Sequence, residues 1–544
     1  MTGQQEALSR RALLALLLLF AAVWLGSLDY RKLVHPDEGR YAEIAREMLV
    51  SGDWLTPRLD GLKYFEKPPL QYWATAASFA AFGLRDWAAR LWPAATGLLC
   101  VLLVHFTGSR LFGRRAGLFA AAVLASSLLF LLIAHINTLD MGLCLFLQAG
   151  VSGFLLAQRE PDRARRYMLL TWAALALAAL SKGLVSLVLP AGSLVIYTLA
   201  MRDFSVWRRL YLGQGLLLFL LIAAPWHIAI SLADADFFHF YFIHEHFERF
   251  LTKAHKRYQP WWYFLPILAA GTLPWTLMLL HAVARVWRQA TAAPALRFLL
   301  IWSALVLAFF SVSGSKLPSY ILPMWPALAL VAGDFLARIE RRTLLRHLAL
   351  VAALALVALG LAALLVPRLA KDAAQAEPMA AYAHWLAAAA AIWLVGAFAA
   401  CWLAWRRRAT PALLGLAGAA LLAGTVSLLG HEVFAHSNSS YYLAQRLPAT
   451  AAAPFYSLRM YDQTLPFYLG RTLTLVDFRD ELDFGLAREP DKGVPTIAEF
   501  KQRWSEGGSA YALMEDPTYD QLQKDGLPMN IIARDARRIV VSKP

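Results

Sequence analysis

The sequence predicts an all-α polytopic membrane domain followed by a small C-terminal α/β domain. Three observations carry that reading. The 544-residue chain is 59% hydrophobic and 16% charged, with a mean hydropathy of +0.49, which is less charge than a soluble protein of this size needs to cover its surface. Apolar runs of about 18 residues or more recur along most of it, each long enough to cross ~30 Å of hydrocarbon. From about residue 433 this pattern stops, and strand-like and helix-like stretches alternate.

The first apolar run, 12–28, follows Arg10 and Arg11 and has the outline of a secretory signal. No small-residue cleavage site follows it and many further runs do, so it reads as a retained first span. Spans are expected near 11–28, 87–108, 116–135, 141–157, 167–181, 184–201, 211–232, 262–284, 296–313, 318–336, 345–366, 381–404 and 411–430, about thirteen in all. Cys100, Cys144 and Cys401 all fall inside such runs. They read as small core hydrophobes, not as a disulfide or thiolate metal site.

The net charge of +15 is mostly a matter of topology. Alternate connections carry arginine with few acids: Arg110, Arg114 and Arg115; Arg163, Arg165 and Arg166; Arg202, Arg208 and Arg209; then Arg285 and Arg288; Arg338, Arg341 and Arg342; and Arg406, Arg407 and Arg408. This is the positive-inside pattern, and it puts the N-terminus in the cytoplasm. A nucleic-acid partner would need a basic soluble face with aromatic interleaving, which the sequence lacks.

On the outer side, "HPDEGRYAEIAREML" (35–49) follows the first span. Pro36 suits a helix start, and Asp37 and Glu38 fall in the first turn, where carboxylates suit the dipole. Tyr41, Ile44, Ala45, Met48 and Leu49 recur at helical spacing, and Gly52 follows as a C-cap. The expectation is an amphipathic helix of about four turns lying in the membrane interface. Glu43, Arg46 and Glu47 would form its solvated face, while Asp37, Glu38 and Arg40 at its entrance can point into a cavity. "GLKYFEKPPLQYW" (61–73) then brings Tyr64, Glu66 and Lys67 up to Pro68 and Pro69, which start a second helix reaching about Phe82. At 1.5 Å per residue that helix is roughly 20 Å long, too short to span. Lys67 stands before free helix N–H groups, a natural site for a phosphate.

Other outer loops repeat the theme. Asp140 enters a span, where an acid is a functional candidate by default. The loop from Phe237 carries His244, Glu245, His246, Arg249, His255 and Arg257, and "SGSKLPSYILP" carries Lys316 and Tyr320. Basic residues on this side run against the positive-inside trend and point to anionic partners. Glu66 and His246 are the candidate ligands if a divalent metal is bound, although one carboxylate with loosely spaced histidines is a weak zinc pattern.

The chain divides at 432/433. In the tail, "APFYSLR", "TLTLVDF", "SAYALMED" and "IIARDARRIVV" read as strands, with helices at "TIAEFKQRWSEG" and "PTYDQLQKDG".

The block "PDEGRYAEIAREMLVSGDWLTPRLDGLKYFEKP", with "HEHFERF", "PWWYFLPILAAGTLPW", "SKLPSYILP" and the closing "KP", closely resembles the lipid A aminoarabinosyltransferases. These belong to the GT-C polyprenyl-phosphate glycosyltransferases. The resemblance runs from the first span to the C-terminus and is weaker in the tail. It implies an inverting transfer of 4-amino-4-deoxy-L-arabinose from undecaprenyl phosphate to lipid A phosphates. The site would face the periplasm in the bacterial inner membrane, and the product would confer resistance to polymyxin. It further implies Asp37, Asp140 and Lys67 as catalytic, with Glu38, Arg40, Tyr64, Arg249, Arg257, Lys316 and Tyr320 binding substrate, and no required cofactor. The family's first-loop acid is usually assigned as a base. A lipid A phosphate is already an anion, which favours Asp37 as an orienting group or as a partner for the sugar's ammonium.

Two other readings fit parts of the sequence. One is a GT-C enzyme with a protein or other glycan as acceptor. The other is a lipid transporter, which would place its charges at mid-membrane in repeated halves; here they gather at one face and no repeat is visible.

Overall fold

A computed structural model gives the fold and describes residues 10–248, 259–289, 293–447 and 453–544. All thirteen expected runs fall on helices or bent helix pairs. Among the described residues, eight helices are long and apolar enough to cross a membrane, or up to ten if each bent pair counts as one span. The bent pairs are α5 (Arg114–Ser126) with α6 (Leu128–Ala134), at 66°, and Phe264–Gly271 with Thr276–Arg288, at 109°. The count is lower than expected because three runs form shorter or more charged helices. These are α1 (Arg10–Gly26), Val185–Met201, and a helix over Ala164–Lys182 that carries Arg165, Arg166 and Lys182. The chain is a multi-pass membrane protein.

The helices that build the site are α2 (Asp37–Ser51), α3 (Leu70–Phe82), α4 (Asp86–Phe112), α7 (Asp140–Arg159) and α8 (Ala164–Lys182). Helix α2 begins where Pro36, Asp37 and Glu38 predict and ends on Gly52 in the left-handed region, φ 71°, a conformation that costs glycine little. Between α2 and α3 a two-residue hairpin pairs β1 (Arg58–Leu59) with β2 (Leu62–Lys63).

The tail forms a mixed six-stranded sheet in the order β5-β4-β3-β6-β8-β7. Its strands are β3 (Phe455–Leu458), β4 (Thr474–Val476), β5 (Gly493–Val494), β6 (Tyr511–Met514), β7 (Asn530–Arg534) and β8 (Ile539–Ser542). Strands β5, β4, β3 and β6 are parallel, and β8 pairs antiparallel with β6 and β7. Both expected helices form, at Ile497–Glu506 and Asp516–Lys524. Thr496 caps the first by accepting the Glu499 N–H at 3.2 Å. "IIARDARRIVV" is not one strand but two, folded back through Asp535, whose Oδ1 accepts the N–H groups of Arg537 and Arg538, both at 2.8 Å.

Helix α2 is not a solvated interfacial helix. The tail lies over it, and Glu43, Arg46 and Glu47 are 0%, 4% and 9% exposed. Its apolar residues Tyr41, Ile44 and Met48 share a core with Leu59 and Tyr72 below and with Tyr461, Leu475 and Leu482 of the tail. The charges that looked like a surface are therefore an internal network. Glu43 holds Arg46 through both oxygens, at 2.6 and 2.7 Å. Glu47 accepts only the Gly61 N–H and Asp60 only the Leu473 N–H, which leaves Glu47 Oε1 and Asp60 Oδ2 buried with no hydrogen-bond partner among the described residues.

Burial pushes the Asp60 carboxyl up to about 8; the Leu473 N–H opposes this, the Glu43 charge adds to it and Arg46 opposes it. The folded protein then keeps a proton that the unfolded chain loses above about pH 4. Stability therefore falls as pH rises between those two values. Asp60→Asn should remove this penalty, since asparagine tolerates the local φ of 57°. Its thermal midpoint in detergent is expected to exceed wild type at pH 8 and to match it near pH 4.

Candidate active site

The first turn of α2 supplies Asp37, Arg40 and Tyr41, and the stretch before α3 supplies Tyr64, Glu66 and Lys67. The N-terminus of α7 supplies Asp140 and the C-terminus of α8 supplies Lys182. Helices α7 and α8 form an antiparallel pair joined by a short turn at Pro161–Arg163, so the two residues that enter and leave it meet. Lys182 donates to Asp140 Oδ1, and its ammonium lies 4.4 Å from the centre of the Tyr320 ring.

The α2 half of the site is organised by Arg40. Its Nη1 donates to Asp37 Oδ1 at 2.8 Å, and its Nη2 meets Glu481 of the tail at 2.5 Å. Glu481 is buried, which pushes its carboxyl up, while Arg40 and a hydrogen bond from Gln463 pull it down. Lys67 Nζ donates to the Glu66 carbonyl at 2.6 Å and stands 3.9 Å from the Glu66 carboxylate.

One buried ring joins the two halves. Burial raises the Tyr41 phenol well above its ordinary range; Asp37 adds to this, Arg40 opposes it, and Asp140 and Glu66 add further. Tyr41 packs in one buried cluster with Tyr64, Tyr72 and Leu139, the residue before Asp140, which joins the start of α2 to the start of α7. Tyr64 likewise lies among Glu66, Arg40 and Glu481. The hydroxyl of Tyr72, whose ring centre is 6.0 Å from that of Tyr41, is buried with no hydrogen-bond partner among the described residues.

Several expected residues sit differently. Glu38 does not face the cavity. It is fully buried, its Oε1 accepts from Arg90 and the Asn137 N–H, and its Oε2 accepts from Arg90 and the Val34 N–H. Burial alone would raise this carboxyl, but Arg90 overrides it and, with Arg31 and Asn137, holds it at about 2. Glu38 is thus a structural anchor. Lys316 is buried in the loop leading to Tyr320, and its ammonium donates to the carbonyls of Ser313 and Gln259 at 2.7 and 2.9 Å. Arg249 and Arg257 lie outside the described residues, and so does the side chain of His246. Among the described residues no three His, Cys, Asp or Glu side chains form a metal set.

The sequence reading missed Lys182 and Glu481. Lys182 had a signal: Asp140 and Lys182 are equally distant from the turn at Pro161, so a helical hairpin must bring them level. Glu481 had none, because nothing local shows which tail loop lies over α2.

A bundle of membrane helices with acids and cations gathered where the loop after α1 meets the ends of α7 and α8 defines a polytopic glycosyltransferase of the GT-C class. Comparison with known proteins agrees. Residues 9–242 match the family described as dolichyl-phosphate-mannose-protein mannosyltransferase, and residues 443–543 match the aminoarabinose transferase C-terminal domain. The chain is 34% identical over 550 residues to the undecaprenyl phosphate-alpha-4-amino-4-deoxy-L-arabinose arabinosyl transferase of Pseudomonas aeruginosa strain LESB58, covering 96% of each. The enzyme of the same name from Aeromonas salmonicida is 38% identical over 58% of each chain. The crystal structure of ArnT from Cupriavidus metallidurans bound to undecaprenyl phosphate superposes with a TM-score of 0.94 at 38% identity, over 99% of both chains. The chain belongs to the undecaprenyl phosphate-aminoarabinose arabinosyl transferase family.

Proposed function

We propose that this enzyme transfers 4-amino-4-deoxy-L-arabinose from undecaprenyl phosphate to the phosphate groups of lipid A, with inversion at the anomeric carbon. The observation that carries the reading is that the Asp37–Arg40 pair and the Asp140–Lys182 pair stand on helix ends packed together through Tyr41 and Leu139. It occurs in a chain that matches the Pseudomonas aeruginosa enzyme over 96% of each.

A lipid A phosphate oxygen attacks the anomeric carbon, and the bond from that carbon to the donor phosphate oxygen breaks, releasing undecaprenyl phosphate. The nucleophile is already an anion, so no proton has to be removed. Charge grows on the departing phosphate, and the cations Arg40, Lys67 and Lys182 stand where they can stabilise it. Asp37 sets Arg40 and Asp140 sets Lys182, and both acids offer carboxylates to the sugar's ammonium. These residues supply the chemistry without a required cofactor. Added aminoarabinose lowers the negative charge of lipid A, which weakens binding of cationic peptides such as polymyxin.

Mass spectrometry of lipid A from cells with and without the enzyme tests this. Lipid A carrying the aminoarabinose mass increment only when the enzyme is present is the expected result. Unchanged lipid A, with the sugar found on a protein or another glycan, would overturn the acceptor.

Placement in the inner membrane with the site facing the periplasm follows from the arginine-rich alternate loops. In a variant lacking the partly exposed Cys401, a cysteine at exposed Ser509 is expected to react with a membrane-impermeant thiol reagent in the periplasm. One at exposed Asp162 is expected to stay protected. The opposite labelling would reverse the assignment of sides.

Lys67 tests the phosphate argument. Losing one charge-assisted hydrogen bond costs roughly 1.5–3 kcal/mol, about ten- to a hundredfold. Lys67→Ala should weaken donor use by that factor, and Lys67→Arg should recover part of it. Transfer rate against donor concentration is the measurement, and wild-type kinetics for the alanine variant would leave Lys67 as an interfacial anchor.

A further inference from the structure

The C-terminal domain meets the first turn of α2 through Glu481 and through a short segment, Tyr461–Thr464. This segment lies across the first turn of α2, where a Cβ on Gly39 would stand 2.6 Å from the backbone C and O atoms of Gln463. Only glycine admits so close an approach. The segment is fixed from behind by Asp462, whose Oδ1 accepts from the Thr464 N–H at 3.0 Å and from Ser440 Oγ at 2.8 Å. Its Oδ2 accepts from Arg538 Nη1 at 2.5 Å, and both side chains of that pair are 0% exposed.

From this clamp a chain of contacts leads to the reacting groups. Gln463 Nε2 donates to Glu481 Oε1 at 2.5 Å, Arg40 Nη2 meets Glu481 Oε2 at 2.5 Å, and Arg40 Nη1 donates to Asp37 Oδ1 at 2.8 Å. Each oxygen of Glu481 thus serves a different donor, which fixes the plane of its carboxylate. The two ends of the guanidinium are drawn to different acids. Without Glu481 the fork would be free to close on Asp37 with both nitrogens, the preferred geometry of an arginine–carboxylate pair, and Asp37 would be lost to the substrate. With it, Arg40 Nε, buried and with no hydrogen-bond partner among the described residues, stays available as a donor to an incoming anion.

We propose that Gln463 and Glu481 form a positioning relay by which the C-terminal domain sets Arg40, and through it the carboxylate of Asp37, for sugar transfer. The proposal rests on the function argued above and gives the soluble domain a part in the reaction. It makes the active site a joint product of the first outer loop and the tail.

Steady-state kinetics of the full-length enzyme test it. Gln463→Leu is close in volume and cannot donate; it should lower kcat about tenfold while the KM for the donor stays within about twofold, because its effect passes through a second group. Glu481→Gln should lower kcat about a hundredfold. The double variant should be no slower than Glu481→Gln alone, because the two residues act in series. A merely structural role would instead raise KM together with the fall in kcat and give multiplied losses. If Gln463→Leu fails to fold, Gln463→Glu keeps the shape, sets a repelling charge against Glu481 and is expected to lose at least as much. Wild-type kcat in a folded Gln463 variant, or multiplied losses in the double variant, would overturn the relay. A wild-type enzyme that transfers nothing counts against the substrate reading alone. The relay is then judged by thermal unfolding, in which additive effects of Gln463→Leu and Glu481→Gln would refute it.

Discussion

Asp140→Asn is expected to accumulate and fold like wild type yet to transfer sugar about 10²–10³ times more slowly, the range seen when one preorganised electrostatic group is removed from an active site. The asparagine keeps the shape and can still accept from Lys182, so the helical hairpin of α7 and α8 stays closed. What disappears is the charge that holds the Lys182 ammonium over Tyr320. Asp37→Asn should act by the same logic from the other side, through Arg40. The two losses should combine less than multiplicatively if both acids hold the same sugar, as proposed. Lipid A modification is measured at equal enzyme level in cells lacking the native copy. Full modification by both variants would show that these acids are structural and would move the search for the reacting groups to Glu66 and Glu481.

Most of the membrane domain was legible because hydropathy sets it. A run of apolar residues must become a helix in hydrocarbon, since no water is there to satisfy its backbone. The candidate acids were legible from their place in that pattern: Asp37 and Asp140 are the first residues of helices α2 and α7, and an acid that opens an apolar span is a functional candidate. The role of α2 was not. Its pattern of Tyr41, Ile44 and Met48 with charges between them describes an amphipathic helix at a surface, and a helix covered on its polar face by another domain has the same pattern. Only the tail distinguishes the two, and its contact with α2 spans some four hundred residues of chain, as in the bond from Arg46 Nη1 to the Gly470 carbonyl. Glu481 was hidden for that reason. The hairpin of β7 and β8 was hidden for a more local one: Asp535, Arg537 and Arg538 interrupt the apolar alternation without the glycine or proline that usually marks a turn.

Arg90 should have the largest effect on folding. Adjacent residues of α2 point about 100° apart, so Asp37 can face the cavity while Glu38 faces the protein. What Glu38 meets there is Arg90 of α4, at 2.7 and 2.8 Å through two parallel bonds. Arg90 also donates to the carbonyls of Leu28, Arg31 and Lys32, so one guanidinium ties the loop between α1 and α2 to the membrane domain. Both side chains are 0% exposed. Breaking a buried pair from one side leaves the other charge unpaired and costs roughly 3–5 kcal/mol. Arg90→Met is therefore expected to lower the thermal midpoint sharply or to prevent accumulation. Glu38→Gln should cost less, because Arg90 keeps its three carbonyls. The double variant, with no charge left to strand, should be more stable than Arg90→Met alone. Thermal unfolding of the three variants in one detergent decides the matter, and an Arg90→Met protein as stable as wild type would refute the anchor and return Glu38 to the candidates for substrate contact.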